Sequence, residues 1–516
     1  MSAVPYPVAS ANQRGPSVSR ESPPDPVRDV FPGSRRSDSR GEETQKSGLV
    51  IVANRLPVQR SDGEWVKSAG GLVSALTPVL DQHGGTWIGW PGEAGGDLAT
   101  PPSPAPNVEY VSVPLIREEI AQYYLGFSNS TLWPLFHGAI RPPELDHAWW
   151  KTYCSVNLRY AEAASEVVDP SGMVWVHDYH LLLVPRLIKR LTSVDTHFFL
   201  HIPFPPLEVF ARLPWRHELI DGLLGADVVG FQTERSASNF RDAARAFADT
   251  TLEDGDLLSD AGRTRVVAAP ISVPAEDFER IATMPSTRHR AHVLRHELGD
   301  PNTVFLGVDR LDYTKGIEAR LQALELMLDE YPDVADDVRF VQIAVPSRES
   351  IGDYEQTRQA IERLSGRING MHASHLQMPV RYVYDTLSRE ELVSYYLAAD
   401  VMAVTPLADG MNLVSKEYVA STVDLDGVLL LSEFAGSANE LTDALKVNPY
   451  DISDMAEQMH RAMTMTRPEK RARMESLRWV VDHNDLEAWT RRSLEPRYAI
   501  RVIDRERPAM RSTAAS

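Results

Sequence analysis

From residue 48 onward the chain is assembled from short apolar runs, each long enough for one buried strand and no longer. "LVIVA", "MVWV", "THFFL", "DVVGF", "RVVAA", "TVFLGV", "RFVQIA", "RYVY", "DVMAV" and "GVLLL" follow one another, and helical patterns lie between many of them. In "GIEARLQALELMLDEY", Ile317, Leu321, Leu324 and Leu328 share one helical face. In "SREELVSYYLAAD", Ser388 stands three residues before Glu391, a helix-start signature. Strands that are apolar throughout and alternate with helices require parallel sheets covered on both faces. The pattern restarts near residue 300, which predicts an α/β chain of two doubly wound domains hinged around "AAPISVPAEDF". Length agrees, because 516 residues exceed what one core ordinarily holds. In such sheets ligands bind beyond the carboxyl ends of the strands, and two facing domains place them in the cleft between.

The first 47 residues lie outside this pattern. "VSRESPPDPVRDVFPGSRRSDSRGEETQKSG" has few large apolar side chains, so it cannot bury enough surface to offset its ordering entropy, and a disordered tail is expected. A net charge of -19 argues against broad nucleic-acid binding, which needs a basic footprint, but leaves room for a local basic pocket. The single cysteine, Cys154, excludes an internal disulfide or a multi-cysteine metal site and fits a reducing cytoplasm. There is no basic start followed by an apolar stretch at the N-terminus, and no run of about 18 apolar residues, so neither export nor a membrane span is expected.

Polar residues gather just after the predicted strands. "LVIVA" leads into Asn54-Arg55, "MVWV" into "HDYH" (His177 to His180), and "THFFL" into "HIPFPP" from His201. "TVFLGV" leads into Asp309-Arg310 and Lys315, and "DVMAV" into "TPLADGMNLVSKE". Arg310 offers a planar fork of donors matched to phosphate oxygens, and Lys315 a compact charge on a long stem. Either these two cations pair with Asp309 or Asp312, or they hold an anion. Gly316, opening a helix, favours the second by freeing N-terminal N–H groups. In "ADGMNLVSKE", Asp409-Gly410 ends a strand and Met411 to Val414 begin a helix. Glu417, on the same side as Leu413, either accepts two neighbouring hydroxyls, as a ribose offers, or pairs with a neighbour such as Lys416.

Other chemistries fit less well. The "HDYH" histidines with His201 lack the spacing of zinc helices, and histidines after strands more often bond hydroxyls or carbonyls, so no metal is expected. Asp178 between them either takes a hydroxyl proton or orients a sugar. "DLDGVLLLS" from Asp424 resembles the nucleophile motif of aspartate-dependent phosphatases, but its apolar strand follows the aspartates rather than preceding them. No Gly-x-Gly-x-x-Gly between strand and helix and no Gly-Lys-Ser/Thr loop is present, against a dehydrogenase and a P-loop kinase.

Taken together, "SAGGL" at 68–72, "YYLGFSNSTLWPLFH" at 123–137, "WVHDYHLLLVP" at 175–185, "FFLHIPFP" at 198–205, "DRLDYTKG" at 309–316, "GRING" at 366–370 and "DGMNLVSKEYVA" at 409–420 resemble the trehalose-6-phosphate synthase family over roughly residues 48 to 500. These are retaining glycosyltransferases of GT-B architecture, two Rossmann-like domains facing across a cleft. The resemblance implies transfer of glucose from a nucleoside-diphosphate-glucose to glucose-6-phosphate, giving α,α-trehalose-6-phosphate and a nucleoside diphosphate, with no cofactor. It implies that Arg310 and Lys315 grip the leaving diphosphate and that Gly70 and Gly71 approach the donor phosphates by backbone. Asp409, Gly410, Met411, Asn412, Leu413 and Val414 would hold the donor, with Glu417 on its ribose and His201 against its glucose. Arg55, Tyr124, Trp133 and Arg367 would bind the acceptor, with the cations on its phosphate, and Asp178 would meet its hydroxyls. The domains implied are an acceptor domain at 48–270, completed by a C-terminal helix near 485–503, and a nucleotide-sugar domain at 271–484, with a second tail at 504–516. A homo-oligomer, dimer or tetramer, is expected, and the base on the donor is left open. The nearest alternatives are a related GT-B sugar-phosphate or glycogen-type synthase and a catalytically silent sugar-phosphate sensor.

Overall fold

The computed structural model describes residues 46–61, 64–68, 71–95, 101–346, 352–373 and 377–494. Its first sheet uses β1 (Ser47–Arg55), β4 (Gly85–Trp90), β5 (Val108–Ser112), β6 (Val168–His177), β7 (Asp195–Leu200), β8 (Val228–Phe231), β9 (Thr251–Glu253), β10 (Asp256–Ser259) and β11 (Gly262–Ala268). They lie in the order β5-β4-β1-β6-β7-β8-β11-β10-β9. The strands from β5 to β11 pair in parallel, and β9 and β10 add an antiparallel edge. A separate hairpin, β2 (Val58–Ser61) with β3 (Glu64–Lys67), follows β1.

The second sheet contains β12 (Thr303–Arg310), β13 (Val338–Val345), β14 (Val380–Tyr384), β15 (Val401–Val404), β16 (Val428–Ser432) and β17 (Leu445–Val447). It is parallel throughout, in the order β14-β13-β12-β15-β16-β17. Both sheets are inner layers: in the first, β8 is buried along its whole length and β7 from Thr196 to Leu200; in the second, β12 is buried from Thr303 to Asp309, and β15 and β16 along their whole length. Burial on both faces is why these strands read as unbroken apolar runs. The expected pair of doubly wound parallel sheets is therefore what the chain forms.

The helix Ile317–Glu330 buries Ile317, Leu321, Leu324 and Leu328, as their spacing predicts. Ser388 caps Arg389–Ala398 by accepting the Glu391 N–H at 3.2 Å. The helix that includes "SKEYVAS" runs Leu413–Ser421, and the strand after "DLDG" begins at Val428, so the aspartates precede the strand. Three strands escaped the sequence reading: β4, β5 and β17, together with the small antiparallel hairpins. The N-terminal tail, expected to 47, lies outside the described residues up to 45, and Ser47 already begins β1. The tail expected at 504–516 also lies outside them. The last described helix, Leu486–Leu494, packs on the first sheet: the Trp489 ring meets Trp175 at 5.1 Å and Phe199 at 5.4 Å between centroids.

Candidate active site

β12 delivers the cation loop. Asp312 caps the short turn Tyr313–Lys315 by accepting from the Thr314 N–H (3.0 Å) and hydroxyl (2.9 Å), and its other oxygen takes the Tyr354 hydroxyl at 3.2 Å. Gly316 then turns the chain at φ +65°, and a Cβ there would overlap the Thr405 carbonyl oxygen, so only glycine fits. Asp309 is paired with Arg320, not with its neighbour Arg310: Arg320 Nη1 reaches Asp309 Oδ2 at 2.7 Å, and both side chains are fully buried. Arg320 also bonds Thr405 Oγ1 (2.9 Å), Gln342 Oε1 (3.0 Å) and the Lys315 carbonyl (3.4 Å), pinning the loop from behind. Both candidate acid partners are thus engaged elsewhere. Arg310 is exposed, has no acid partner among the described residues, and carries its guanidinium 5.4 Å from the centre of the Trp133 ring.

Lys315 meets the donor loop. Its Nζ lies 2.6 Å from Asp409 Oδ2, to which Asn412 also donates at 3.1 Å. Burial pushes the Asp409 carboxyl up, but the Lys315 charge and hydrogen bond outweigh it, and its pKa ends below the usual carboxylate value. Asn412, at φ 76°, caps the helix Leu413–Ser421 by accepting the Ser415 N–H at 3.2 Å. The helix thus starts two residues later than expected. Gly410 is needed for approach: a Cβ on it would overlap the His201 carbonyl oxygen and sit 2.9 Å from Ile202 Cα. Met411 is buried in a cluster with the first-sheet residues Ala53, Trp175 and Phe199 and with Val73 of the helix Gly71–His83. A Cβ on Gly71 would come 2.6 Å from Leu413 Cδ1, which sets that glycine, at the start of the helix Gly71–His83, against the donor loop. Gly70 lies outside the described residues. Val414 packs on the second core. Glu417 accepts the Tyr396 hydroxyl at 2.8 Å; burial raises its pKa, while that hydrogen bond and Arg389 oppose the shift. Lys416 turns the other way, to the Ile271 carbonyl (2.8 Å) and Glu440 (2.7 Å), so it is not the partner of Glu417.

The facing wall comes from the first sheet. Arg55, at the end of β1, lies over the Trp90 ring at 4.4 Å and the Tyr124 ring at 5.6 Å. Tyr124 stacks on His180 at 5.8 Å and meets Trp90 edge-on at 5.6 Å. It sits in a 13-residue π-helix, Ile120–Leu132, a wide coil that commonly marks functional segments. Trp133 follows directly, against His137 (4.1 Å) and Tyr179 (5.6 Å). Burial lowers the His137 pKa to about 4, against the raising effects of its bond to the Trp133 carbonyl and of Asp312 and Asp409. Asp178 is held at φ 75°, ψ 167°, a backbone strain that clusters at functional sites, and its Oδ1 takes the His201 N–H at 3.3 Å. The His177 and His201 rings meet at 3.1 Å between Nδ1 and Nε2, and burial lowers His201 to about pKa 3. Among the described residues no group of three or more His, Cys, Asp or Glu could hold a metal ion.

One residue assigned from sequence is misplaced. Arg367 is exposed near the end of the helix Gly352–His372 and pairs with Glu325 of the helix Ile317–Glu330. Two residues on, Asn369 bonds both backbone groups of Val380, the first residue of β14. That is the amino end of the sheet, opposite the edge that carries Arg310, so Arg367 is withdrawn from the acceptor set. Sequence reading missed Trp90, whose signal was the apolar run "GTWIGW", and His137, Gln232 and Arg320, whose packing has no local pattern.

Residues 47–497 match the family described as Glycosyltransferase family 20. A trehalose-6-phosphate synthase of Mycobacterium avium (strain 104) is 44% identical over 476 residues, 88% of this chain and 97% of that protein. A UDP-forming α,α-trehalose-phosphate synthase from Burkholderia xenovorans, solved in complex with glucose-6-phosphate, superposes with a TM-score of 0.81 at 34% identity, covering 87% of this chain and 99% of that one. An E. coli structure bound with UDP-2-fluoro glucose superposes with a TM-score of 0.81 at 34% identity, covering 89% and 100%. The chain belongs to glycosyltransferase family 20, alongside the trehalose-6-phosphate synthases.

Proposed function

We propose that this glycosyltransferase moves glucose from UDP-glucose to glucose-6-phosphate with retention, giving α,α-trehalose-6-phosphate and UDP. The observation that carries the reading is Arg310, a cation without an acid partner among the described residues, which ends β12 five residues before Lys315 and lies against Trp133 of the Arg55, Tyr124 and Trp133 wall. Uridine is the base because the B. xenovorans relative is described as UDP-forming and the E. coli relative was solved with a UDP sugar.

In this reading the bond between the donor's anomeric carbon and the diphosphate oxygen breaks with its electron pair leaving on phosphate. Arg310 and Lys315 stand where that charge develops, which lowers the barrier more than donors aimed at the ground state. The acceptor hydroxyl attacks from the same face, and its proton passes to the departing phosphate. A double inversion would need a free carboxylate below the sugar. Asp409 is committed to Lys315 and Asn412, and Asp178 to the His201 N–H, which supports the front-face route. Asp409, the 410–414 backbone and Glu417 hold the donor, Gly71 the donor phosphates, Arg55, Tyr124 and Trp133 the acceptor, and Asp178 its hydroxyls. His201 lines the glucose; with its imidazole neutral and engaged, it is not a proton carrier. The acceptor domain is placed at 48–270 with the helix at 486–494 returning to it, and the donor domain at 271–484. The chain is placed in the cytoplasm as a homo-oligomer, on its single cysteine for the first; sedimentation tests the second.

The test is to incubate purified protein with glucose-6-phosphate and uridine, adenosine or guanosine diphosphate-glucose in turn, and to identify the product by mass and linkage. Trehalose-6-phosphate formed fastest from UDP-glucose is expected. A different glucoside would point to a related synthase, and binding without turnover to a silent sensor; either result overturns the proposal.

A further inference from the structure

Gln232, the residue after β8, joins three parts of the molecule. Its Oε1 accepts the Ile271 backbone N–H at 2.9 Å. Its Nε2 lies 3.4 Å from His201 Nδ1, and His201 Nε2 lies 3.1 Å from His177 Nδ1. A backbone N–H cannot reverse, so the amide has only one orientation, with its NH2 toward His201. His201 Nδ1 is then an acceptor, and in the neutral ring the proton sits on Nε2 and is given to His177 Nδ1. The last proton of the chain lies on His177 Nε2, which is buried with no hydrogen-bond partner among the described residues; the His177 ring packs on Trp175, 4.5 Å between centroids. Every polar atom of the His201 ring is thereby turned inward.

Ile271 is also gripped from the other half of the molecule, since its carbonyl, on the next peptide group, accepts Lys416 Nζ at 2.8 Å. Gln232 and Lys416 are both buried. The chain of contacts thus runs from the helix that begins at Leu413, through the segment joining the two sheets, to the histidine whose carbonyl Gly410 touches.

We propose that Gln232 is a positioning residue for glucosyl transfer: it fixes the His201 ring in one tautomer and orientation and ties it to the backbone of Ile271, in the segment that links the two sheets. The inference rests on the transfer reading, because His201 matters only if the donor glucose lies against it. Other titratable groups near the ring are His177 and Asp178, from the end of β6, and Asp409, one residue before Gly410; Phe199 and Trp489 also pack on it and do not titrate.

Two variants and one spectrum test it. Gln232→Met keeps the volume and removes both bonds; we expect kcat to fall about tenfold or more while the acceptor KM moves less than about threefold. Gln232→Glu keeps an acceptor for Ile271 but puts a carboxylate against His201, which reverses its tautomer and favours the imidazolium; kcat should fall and gain an acidic limb between about pH 6 and 8 that the native protein lacks. Folded variants with native kcat and pH profile overturn the proposal, and so does a loss explained by a smaller fraction of protein able to bind UDP. If neither variant folds, 15N spectra of histidine-labelled native protein decide: His201 protonated on Nε2 supports it, and on Nδ1 overturns it. The native protein's own turnover tests the transfer reading separately, and the spectrum does not depend on it.

Discussion

Arg310 and Lys315 differ in what holds them, so their loss should read differently. Replacing either by alanine should cut kcat/KM for transfer by about a hundredfold or more, because each stands where the diphosphate gathers charge. Arg310→Ala should leave the melting temperature unchanged, since that side chain is exposed and has no acid partner among the described residues. Lys315→Ala should also destabilise the fold by about 1–3 kcal/mol, because it strands the largely buried Asp409 carboxylate, whose side chain is 14% exposed. Calorimetry beside a coupled assay separates the two. Arg320 makes a sharper case. Arg320→Met leaves Asp309 as an unpaired charge in a fully buried site, at a cost of about 3–5 kcal/mol. Adding Asp309→Asn should restore part of that stability in denaturant titration. If the double variant is no better than the single, the pair is not the reason for the loss.

Among the elements, the donor loop 409–412 is constrained from both sides, because it touches both halves at once. Gly410→Ala would drive a methyl into the His201 carbonyl. We expect at least about a hundredfold loss of turnover from a misplaced site, with secondary structure by circular dichroism intact. Normal turnover would show that the halves need not meet there. The elements also show what could be read beforehand. Central parallel strands such as "TVFLGV" were legible because burial on both faces leaves no polar residue to interrupt them. "GTWIGW" is hard to read as a strand because two glycines break its apolar run, and β17 because three residues carry no period. The π-helix at 120–132 was not legible at all, since nothing local distinguishes its spacing from an ordinary helix; tertiary contacts such as Tyr179 to Asn129, at 2.8 Å, fix it. Arg367 is misplaced because a motif match such as "GRING" says nothing of depth along a helix. The cation loop and the donor loop were legible because strand ends in parallel sheets are where ligands bind.

Across the whole molecule, several histidines are kept neutral by burial. His137, His177, His197 and His201 all have pKa values lowered chiefly by desolvation, His137 to about 4 and His201 to about 3. The unfolded chain therefore binds more protons than the folded one below about pH 6.5, so stability is fully present above that value and is lost as pH falls toward 4. His137 alone accounts for about 3 kcal/mol over that span. The urea midpoint should drop steadily between pH 7 and about 5, with a shallower slope in His137→Gln. A midpoint unchanged across that range would mean the histidines titrate as in water.

The helix Leu486–Leu494 carries Trp489 back onto Trp175 and Phe199 from a point more than 280 residues further along the chain. During synthesis those two rings emerge from the ribosome long before the indole that covers them does. At about 5–20 residues per second the gap amounts to tens of seconds. A nascent chain halted short of residue 486 would thus present a bare aromatic face, the kind of surface that chaperones hold and that stalled fragments aggregate through.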